Sequence, residues 1–105
     1  MIDEHEWRSV LQVAKDGTFS AAAKHLYISQ PSLSQCIKKV ETELGVRLFD
    51  RSQTPLALTP AGTIYVRQAK EILRIQQSLV QEVADLSELR TGSLTIGSSR
   101  TRIQR

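Results

Sequence analysis

A turn of only three residues, Tyr27-Ile28-Ser29, separates two segments with helical patterns, and this turn constrains the fold more than any other feature. The segment before it, 21–26, is rich in alanine, so a second helix can approach it closely. Ser29 can cap the helix that follows, and Pro31 is tolerated in a first helical turn. Four apolar residues then share one helical face: Leu33, Ile37, Val40 and Leu44. The pattern predicts a helix-turn-helix unit whose third helix ends before Gly45.

A further helix is predicted before this unit. Apolar residues at three- and four-residue steps predict a first helix around 7–14, which Asp16-Gly17 ends. Thr18 or Ser20 can cap the second helix. The core is expected to include the large aromatic residues Trp7, Phe19 and Phe49.

A small hairpin and a long helix are predicted after the unit. Two short apolar runs, 46–49 and 56–58, flank a polar loop, which indicates a hairpin. Thr59-Pro60 is typical of a helix start. The fourth helix should run to about Leu89, a length of about 45 Å at 1.5 Å per residue. The fold class that follows is mainly α.

Composition and charge narrow the class of protein. A chain of 105 residues is about one domain, and its single cysteine, Cys36, excludes an internal disulfide. The acidic N-terminus predicts no signal peptide, and no segment is apolar enough to span a membrane, so we expect a cytoplasmic protein. His5 and His25 are isolated, so neither a metal nor another cofactor is predicted. The net charge of +3 is weak evidence for nucleic-acid binding, since the last fifteen residues alone supply it.

The outer face of the third helix is the strongest candidate for a functional surface. Pro31, Gln35, Lys38 and Thr42 project opposite the apolar stripe, Ser32, Ser34 and Lys39 flank them, and Gln30 lies at the exposed tip. Glutamine can pair with adenine in a major groove, and lysines can meet phosphates. A solvated helix face also carries glutamine, serine and lysine. The Ser-Gln-Pro start, the short turn and the alanine-rich second helix favour the interpretation that this face reads DNA.

The long helix carries an apolar stripe at a heptad-like spacing, interrupted at Gln76. Such a stripe can cover the first helix or pair two copies of the chain. A small core cannot bury about 45 Å of helix, which favours a homodimer. The predicted dimer residues are Tyr65, Ala69, Ile72, Leu79, Val83 and Leu86.

The motifs together resemble a known family. "GTFSAAAKHLYISQPSLSQCIKKVETELGVRLFDRS" followed by "LTPAG" resembles the DNA-binding region of LysR-type transcriptional regulators, and the resemblance covers residues 5 to about 98. It implies a winged helix-turn-helix followed by a long linker helix. The third helix would read the major groove, the hairpin would be a wing beside the minor groove, and the linker helix would pair two subunits.

The resemblance also implies roles for single residues. Gln30, Pro31, Ser34 and Gln35 would face bases or nearby phosphates, and Ser32, Lys38 and Arg51 would hold the backbone or the minor-groove edge. Relatives often carry arginine at the position of Gln35, which leaves the preferred base open. The wing tip lacks a further basic residue that many relatives carry. Arg51 would then supply most of the wing's charge, or form a salt bridge with a nearby acid in the free protein.

Three parts of the chain follow from the resemblance. Residues 1–59 would form the winged helix-turn-helix, 60–90 the dimerisation helix, and 91–105 the start of a truncated effector domain, expected to be disordered. A small-molecule effector is expected only where the remainder of that domain is present. The predicted function is sequence-specific binding of double-stranded DNA at a pseudo-palindromic promoter site, without a membrane partner. Two alternatives stay open: an interaction protein that pairs with full-length relatives through the long helix, and, remotely, an enzyme.

Overall fold

The structure, a computed structural model, describes residues 3–90. The described helices and strands are, in chain order, α1 (Glu4–Asp16), α2 (Phe19–Leu26), α3 (Gln30–Leu44), β1 (Phe49–Asp50), β2 (Ala57–Leu58) and α4 (Pro60–Arg90). The chain divides into two units, the first ending at Glu71 and the second beginning at Ile72. The start of an effector domain and the disorder predicted for residues 91–105 lie outside the described residues.

Side-chain caps set the starts of the first three helices. The Asp3 carboxylate accepts a hydrogen bond from the His5 amide, so α1 begins earlier than its apolar pattern indicates. The Thr18 hydroxyl accepts from the Ala21 amide, which makes Thr18 rather than Ser20 the cap of α2. The predicted start of α3 after Ser29 is confirmed.

The core of the first unit lies among α1, α2, α3, the hairpin and the start of α4. Leu33, Ile37 and Val40 are buried as predicted, whereas Leu44 is 46% exposed because α3 ends there. Trp7 and Phe49 are buried, and Phe19 packs against the core from its edge. The buried apolar residues are Trp7, Val10, Val13, Ala22, Ala23, Leu33, Ile37, Val40, Leu48, Phe49, Val66 and Ala69.

The hairpin is shorter than its apolar runs predict. β1 and β2 pair antiparallel, with Phe49 opposite Leu58 and Asp50 opposite Ala57. Before β1, the backbone bonds elsewhere: the Leu48 amide donates to the Glu41 carboxylate at 2.7 Å, and the Thr59 hydroxyl donates to the Arg47 carbonyl at 2.6 Å. The predicted strand at 46–49 is therefore wrong in its bounds, because side chains of other elements satisfy part of this backbone.

The first turn of α4 is joined to the chain before β1. The Thr59 hydroxyl accepts from the Gly62 amide at 3.0 Å, which confirms Thr59-Pro60 as the helix start. The Thr59 amide donates to the Leu48 carbonyl at 3.0 Å. A Cβ at Gly62 would overlap that same carbonyl oxygen, so only glycine permits this close approach. The sequence Thr59-Pro60-Ala61-Gly62 thus fixes where α4 begins relative to the hairpin.

Candidate nucleic-acid interface

The N-terminal end of α3 presents a polar face. The Ser29 hydroxyl accepts from the Ser32 amide at 3.2 Å and donates to the Ser32 hydroxyl at 3.0 Å. This arrangement satisfies part of the first turn and leaves the end of the helix open to a partner. The predicted residues of this helix are all exposed: Gln30, Pro31, Ser32, Ser34, Gln35 and Lys38.

A groove of ≈ 960 Å³ lies between this face and the segment that leads into the hairpin. Arg51 and Lys38 contribute positive charge to it, and Glu41 is the one acidic residue among those that line it. When α3 enters a duplex, the sugar-phosphate backbone beside this helix can lie in such a groove. The lining residues are Pro31, Ser34, Gln35, Lys38, Glu41, Thr42, Gly45, Val46, Arg47 and Arg51.

Five of the seven predicted DNA-binding residues meet in this groove. Pro31, Ser34, Gln35 and Lys38 line it from α3, and Arg51 lines it from the hairpin. Gln30 and Ser32 are exposed at the tip of α3 but do not line the groove.

Two polar residues of the groove, Thr42 and Arg47, were not among the predicted site residues. Helical periodicity already places Thr42 on the face of Lys38, one turn further along the helix, although no DNA contact was predicted for it. Arg47 is an exposed cation directly after the end of α3. Because Arg47 lies within the apolar run 46–49, the pattern predicted a strand there and gave no reason to expect a DNA contact.

The two neighbouring lysines of α3 have different environments. Lys38 lines the groove, whereas the Lys39 ammonium lies 3.1 Å from a carboxylate oxygen of Glu6 on α1. The hydrogen bond and the charge of Glu6 raise the pKa of Lys39 above its usual value. Lys39 therefore faces α1, and Lys38 is the lysine available to a ligand in the groove.

Arg51 is held by two partners on the protein itself. Its two terminal nitrogens lie 3.4 Å from an oxygen of the Glu41 carboxylate, and its guanidinium carbon lies 5.2 Å from the centre of the Phe19 ring. The ion pair expected as one of two roles for Arg51 is therefore present. The other role, at the edge of a minor groove, stays a prediction, and a third of the side chain remains exposed for it.

The loop between the two strands is organised by Asp50. Its carboxylate accepts from the Ser52 amide at 3.0 Å, the Ser52 hydroxyl at 2.6 Å and the Gln53 side-chain amide at 3.3 Å. These hydrogen bonds lower the pKa of Asp50 below its usual value, and the bond from the Ser52 hydroxyl has the largest effect. After the loop, the Leu56 amide donates to the Gly17 carbonyl at 2.9 Å. The loop is thus tied to the turn between α1 and α2.

The predicted dimer residues fall into two groups. Ala69 is 2% exposed and Tyr65 packs against the core of the first unit, so the chain itself covers both. Beyond residue 71, Ile72, Leu79, Val83 and Leu86 are exposed, as are Ile75 and Val80, which the prediction did not include. The two roles considered for the stripe therefore apply to different parts of α4. Its start covers the core, and the residues after position 71 present apolar side chains to solvent.

Residues 3–90 contain neither a metal-binding cluster nor a membrane-spanning helix. Among these residues, no group of three or more His, Cys, Asp or Glu side chains is placed to hold a metal ion. None of the helices described here is long and apolar enough to cross a membrane.

Comparisons with known proteins identify the family. Residues 5–63 match the family described as "Bacterial regulatory helix-turn-helix protein, lysR family". The chain is 43% identical over 86 residues to a Bacillus subtilis (strain 168) protein named "Uncharacterized HTH-type transcriptional regulator YcgK", covering 82% of this chain but 26% of that protein.

Solved structures give the same result. The BenM DNA-binding domain in complex with catB site 1 DNA superposes with a TM-score of 0.77 at 29% identity, covering 82% of this chain and 97% of that one. Vibrio fischeri DarR in complex with DNA superposes with a TM-score of 0.75 at 29% identity, covering 85% of this chain and 30% of that one. The two-stranded hairpin after α3 is thus the wing of a winged helix-turn-helix. The chain belongs to the lysR family of bacterial regulatory helix-turn-helix proteins.

Proposed function

We propose that the chain is the DNA-binding portion of a transcription regulator and that it binds double-stranded DNA sequence-specifically as a dimer. The observation that carries the proposal is the capped, exposed polar face of α3 beside a groove with Lys38, Arg47 and Arg51 in its lining. In this arrangement α3 enters the major groove and the wing lies near the minor groove.

Each group has a task that follows from its chemistry. Gln30 and Gln35 carry paired donors and acceptors for base edges, and Ser34 can bond to bases or phosphates. Pro31 lacks a long polar side chain, so the helix can come close to the bases. Lys38 supplies a charge for phosphate, which positions the helix without reading sequence. Ser32 contacts backbone from the tip, and Arg51 serves the minor-groove edge.

The exposed stripe of α4 supports the proposed homodimer. Ile72, Leu79, Val83 and Leu86 keep heptad-like spacing, and solvent-exposed apolar residues in such a row gain stability when a second helix covers them. Two copies related by a twofold axis would present their α3 helices to two half-sites of an inverted repeat.

The matched relatives bear on what a longer protein would do. This chain spans about a quarter of YcgK, so binding of a small-molecule effector is assigned to a further domain, where one is present. We propose a cytoplasmic regulator that acts by binding rather than catalysis and has no membrane partner. The relative is itself named a transcriptional regulator, which supports this class.

Selection of duplexes from a random DNA library by the purified chain, followed by sequencing, tests the proposal. Enrichment of an inverted repeat with both arms on one face of the duplex is the expected result. Binding without enrichment would contradict sequence reading by α3 and leave only phosphate contacts. Absence of binding at low salt would overturn the proposal and favour a role in pairing with longer relatives, for which the exposed stripe of α4 would then be the relevant surface.

A further inference from the structure

Glu41 is an acid at a surface where a polyanion is proposed to bind. Its side chain lies on α3, one turn beyond Ile37, and is 9% exposed. An unpaired carboxylate here would repel phosphate and would be costly to bury. The structure shows that Glu41 is fully engaged, and the identity of its partners points to a role.

Glu41 joins α3 to the base of the wing. One carboxylate oxygen accepts from the Leu48 amide at 2.7 Å and from the Phe49 amide at 3.4 Å. The backbone carbonyl of the same residue accepts from the Gly45 amide at 2.8 Å and the Val46 amide at 3.2 Å. A single residue of the helix that faces the groove therefore organises the chain up to the first strand.

The second oxygen of Glu41 fixes a cation. It accepts from both terminal nitrogens of Arg51, whose guanidinium also lies over the Phe19 ring. Phe19 in turn makes an edge-to-face contact with Phe49, with ring centroids 6.4 Å apart. The guanidinium is thus held both by an ion pair and by an aromatic ring, while part of the side chain lines the groove.

We propose that Glu41 is a positioning residue for DNA binding, which acts through Arg51. Glu41 holds the guanidinium in one place beside the wing and offsets its charge. Arg51 then acts as a hydrogen-bond donor in a fixed position and does not attract phosphate non-specifically. The inference rests on the proposed function. It extends that function, because Glu41 would contribute to the preference for the target over random sequence although it does not itself contact DNA.

The substitution Glu41→Gln tests the inference because it keeps an oxygen acceptor for the Leu48 amide and removes the charge. A released Arg51 should meet phosphate, so the dependence of log affinity on log salt for random duplex should steepen by about 0.9, the value of one added phosphate contact. Preference for the selected site over random duplex should fall about tenfold, the loss equivalent to one displaced charged hydrogen bond. A purely structural role would change the stability and leave the salt dependence as it was.

Arg51→Ala supplies the matched background. If Glu41 acts through Arg51, then Glu41→Gln should leave the salt dependence unchanged once Arg51 is absent. An equal effect of Glu41→Gln with and without Arg51 would overturn the inference, and so would a wild-type salt dependence in Glu41→Gln alone. If the wild-type chain binds no DNA at low salt, the proposed function fails and this inference fails with it. If the wild-type chain binds DNA but the variants do not show the expected salt dependence, only this inference fails and the proposed function stands.

A measurement on the unaltered protein covers the case in which Glu41→Gln does not fold. Hindered rotation of a guanidinium held by Glu41 and Phe19 should give resolved NMR signals for the Arg51 terminal nitrogens, assigned by their loss in Arg51→Lys. Resolved signals in the free protein support the inference. Freely averaged signals would show that the side chain is not held, and would overturn it.

Discussion

The Lys39 ammonium lies 3.1 Å from the Glu6 carboxylate, and this contact divides two adjacent lysines into different tasks. Glu6 is buried on α1, so the contact ties α3 to the helix behind it. Lys38, one residue earlier, is exposed and lines the groove. Two residues of equal charge are therefore predicted to differ in their effect on DNA binding.

The first prediction compares Lys38→Ala with Lys39→Ala. Lys38→Ala should weaken binding to all sequences alike and lower the salt slope by about 0.9, because one phosphate contact is lost. Lys39→Ala should leave the slope within error and reduce the stability, since it leaves the buried Glu6 without its cation. Fluorescence anisotropy with target and random duplex at several salt concentrations measures both. Equal slopes for the two variants would refute the division of tasks.

The second prediction concerns base preference at Gln35. Its exposed amide lines the groove and can bond two positions on one base edge. Gln35→Ala should relax selection at one position of each half-site and cost about 1–3 kcal/mol on the selected sequence. Affinity for random duplex should stay near that of wild type. Repeating the duplex selection with the variant tests this, and an unchanged sequence preference would place Gln35 outside the base-reading set.

The sequence predicts the helices well because their signals are local. The caps Thr18 and Ser29, the pair Thr59-Pro60 and the apolar period of α3 all act within one or two turns, so each can be read without knowing the fold. The exposed face of α3 follows from the same period. These local signals located six of the seven predicted DNA-binding residues on that face, where the structure shows them exposed.

What the sequence does not give depends on contacts between distant residues. The predicted start of the first wing strand, at residue 46, is wrong because Glu41 and Thr59 bond to the backbone of residues 47 and 48, which would otherwise extend the strand. The orientation of Lys39 toward α1 depends on its hydrogen bond to Glu6, thirty-three residues away in the chain. The division of the α4 stripe depends on where the core ends. None of these has a periodic signal, since each is a pairing that only the tertiary structure creates.

The third prediction compares two glycines with the same backbone conformation. Gly17 and Gly45 have φ values of 78° and 76°, which side chains adopt at a cost. A Cβ at Gly45 would meet nothing within 4 Å, whereas one at Gly17 would lie 2.7 Å from the Pro55 Cβ in the wing loop. Gly45→Ala should cost about 1 kcal/mol of stability from strain alone. Gly17→Ala should cost about 2–4 kcal/mol because the loop must also move.

Urea unfolding gives both stabilities. Displacement of the wing by Gly17→Ala should also weaken binding to the selected site. Equal losses of stability in the two variants would show that the contact between Gly17 and Pro55 does not constrain the wing.

The fourth prediction concerns the exposed stripe of α4. Leu79→Glu places a charge in the proposed dimer contact and should raise the dimer dissociation constant on the order of 100-fold, from lost apolar burial and an unpaired buried charge. Ile64→Glu alters a comparably exposed residue of the same helix outside the stripe, 54% exposed against 61% for Leu79, and is the control. Sedimentation velocity across micromolar concentrations distinguishes them. A wild-type chain that stays monomeric would refute the proposed dimer, and similar effects of both variants would place the contact elsewhere.

The fifth prediction concerns stability at alkaline pH. Burial, assisted by the charge of Glu6, raises the pKa of Tyr65 from 10.0 to about 12. Between these values the unfolded chain releases the phenol proton and the folded chain keeps it, so the free energy of unfolding falls as pH rises from about 10 to about 12. The raised pKa of Lys39 acts in the same direction: its contribution to the free energy of unfolding is complete below pH 10.5 and is lost as pH rises through the pKa of the folded state.

Urea unfolding at several pH values should therefore show a shallower alkaline decline for Tyr65→Phe than for wild type. Lys39→Ala, which retains Tyr65, separates the contribution of the lysine. An equally steep decline in Tyr65→Phe would mean that the phenol is not held against the core in solution.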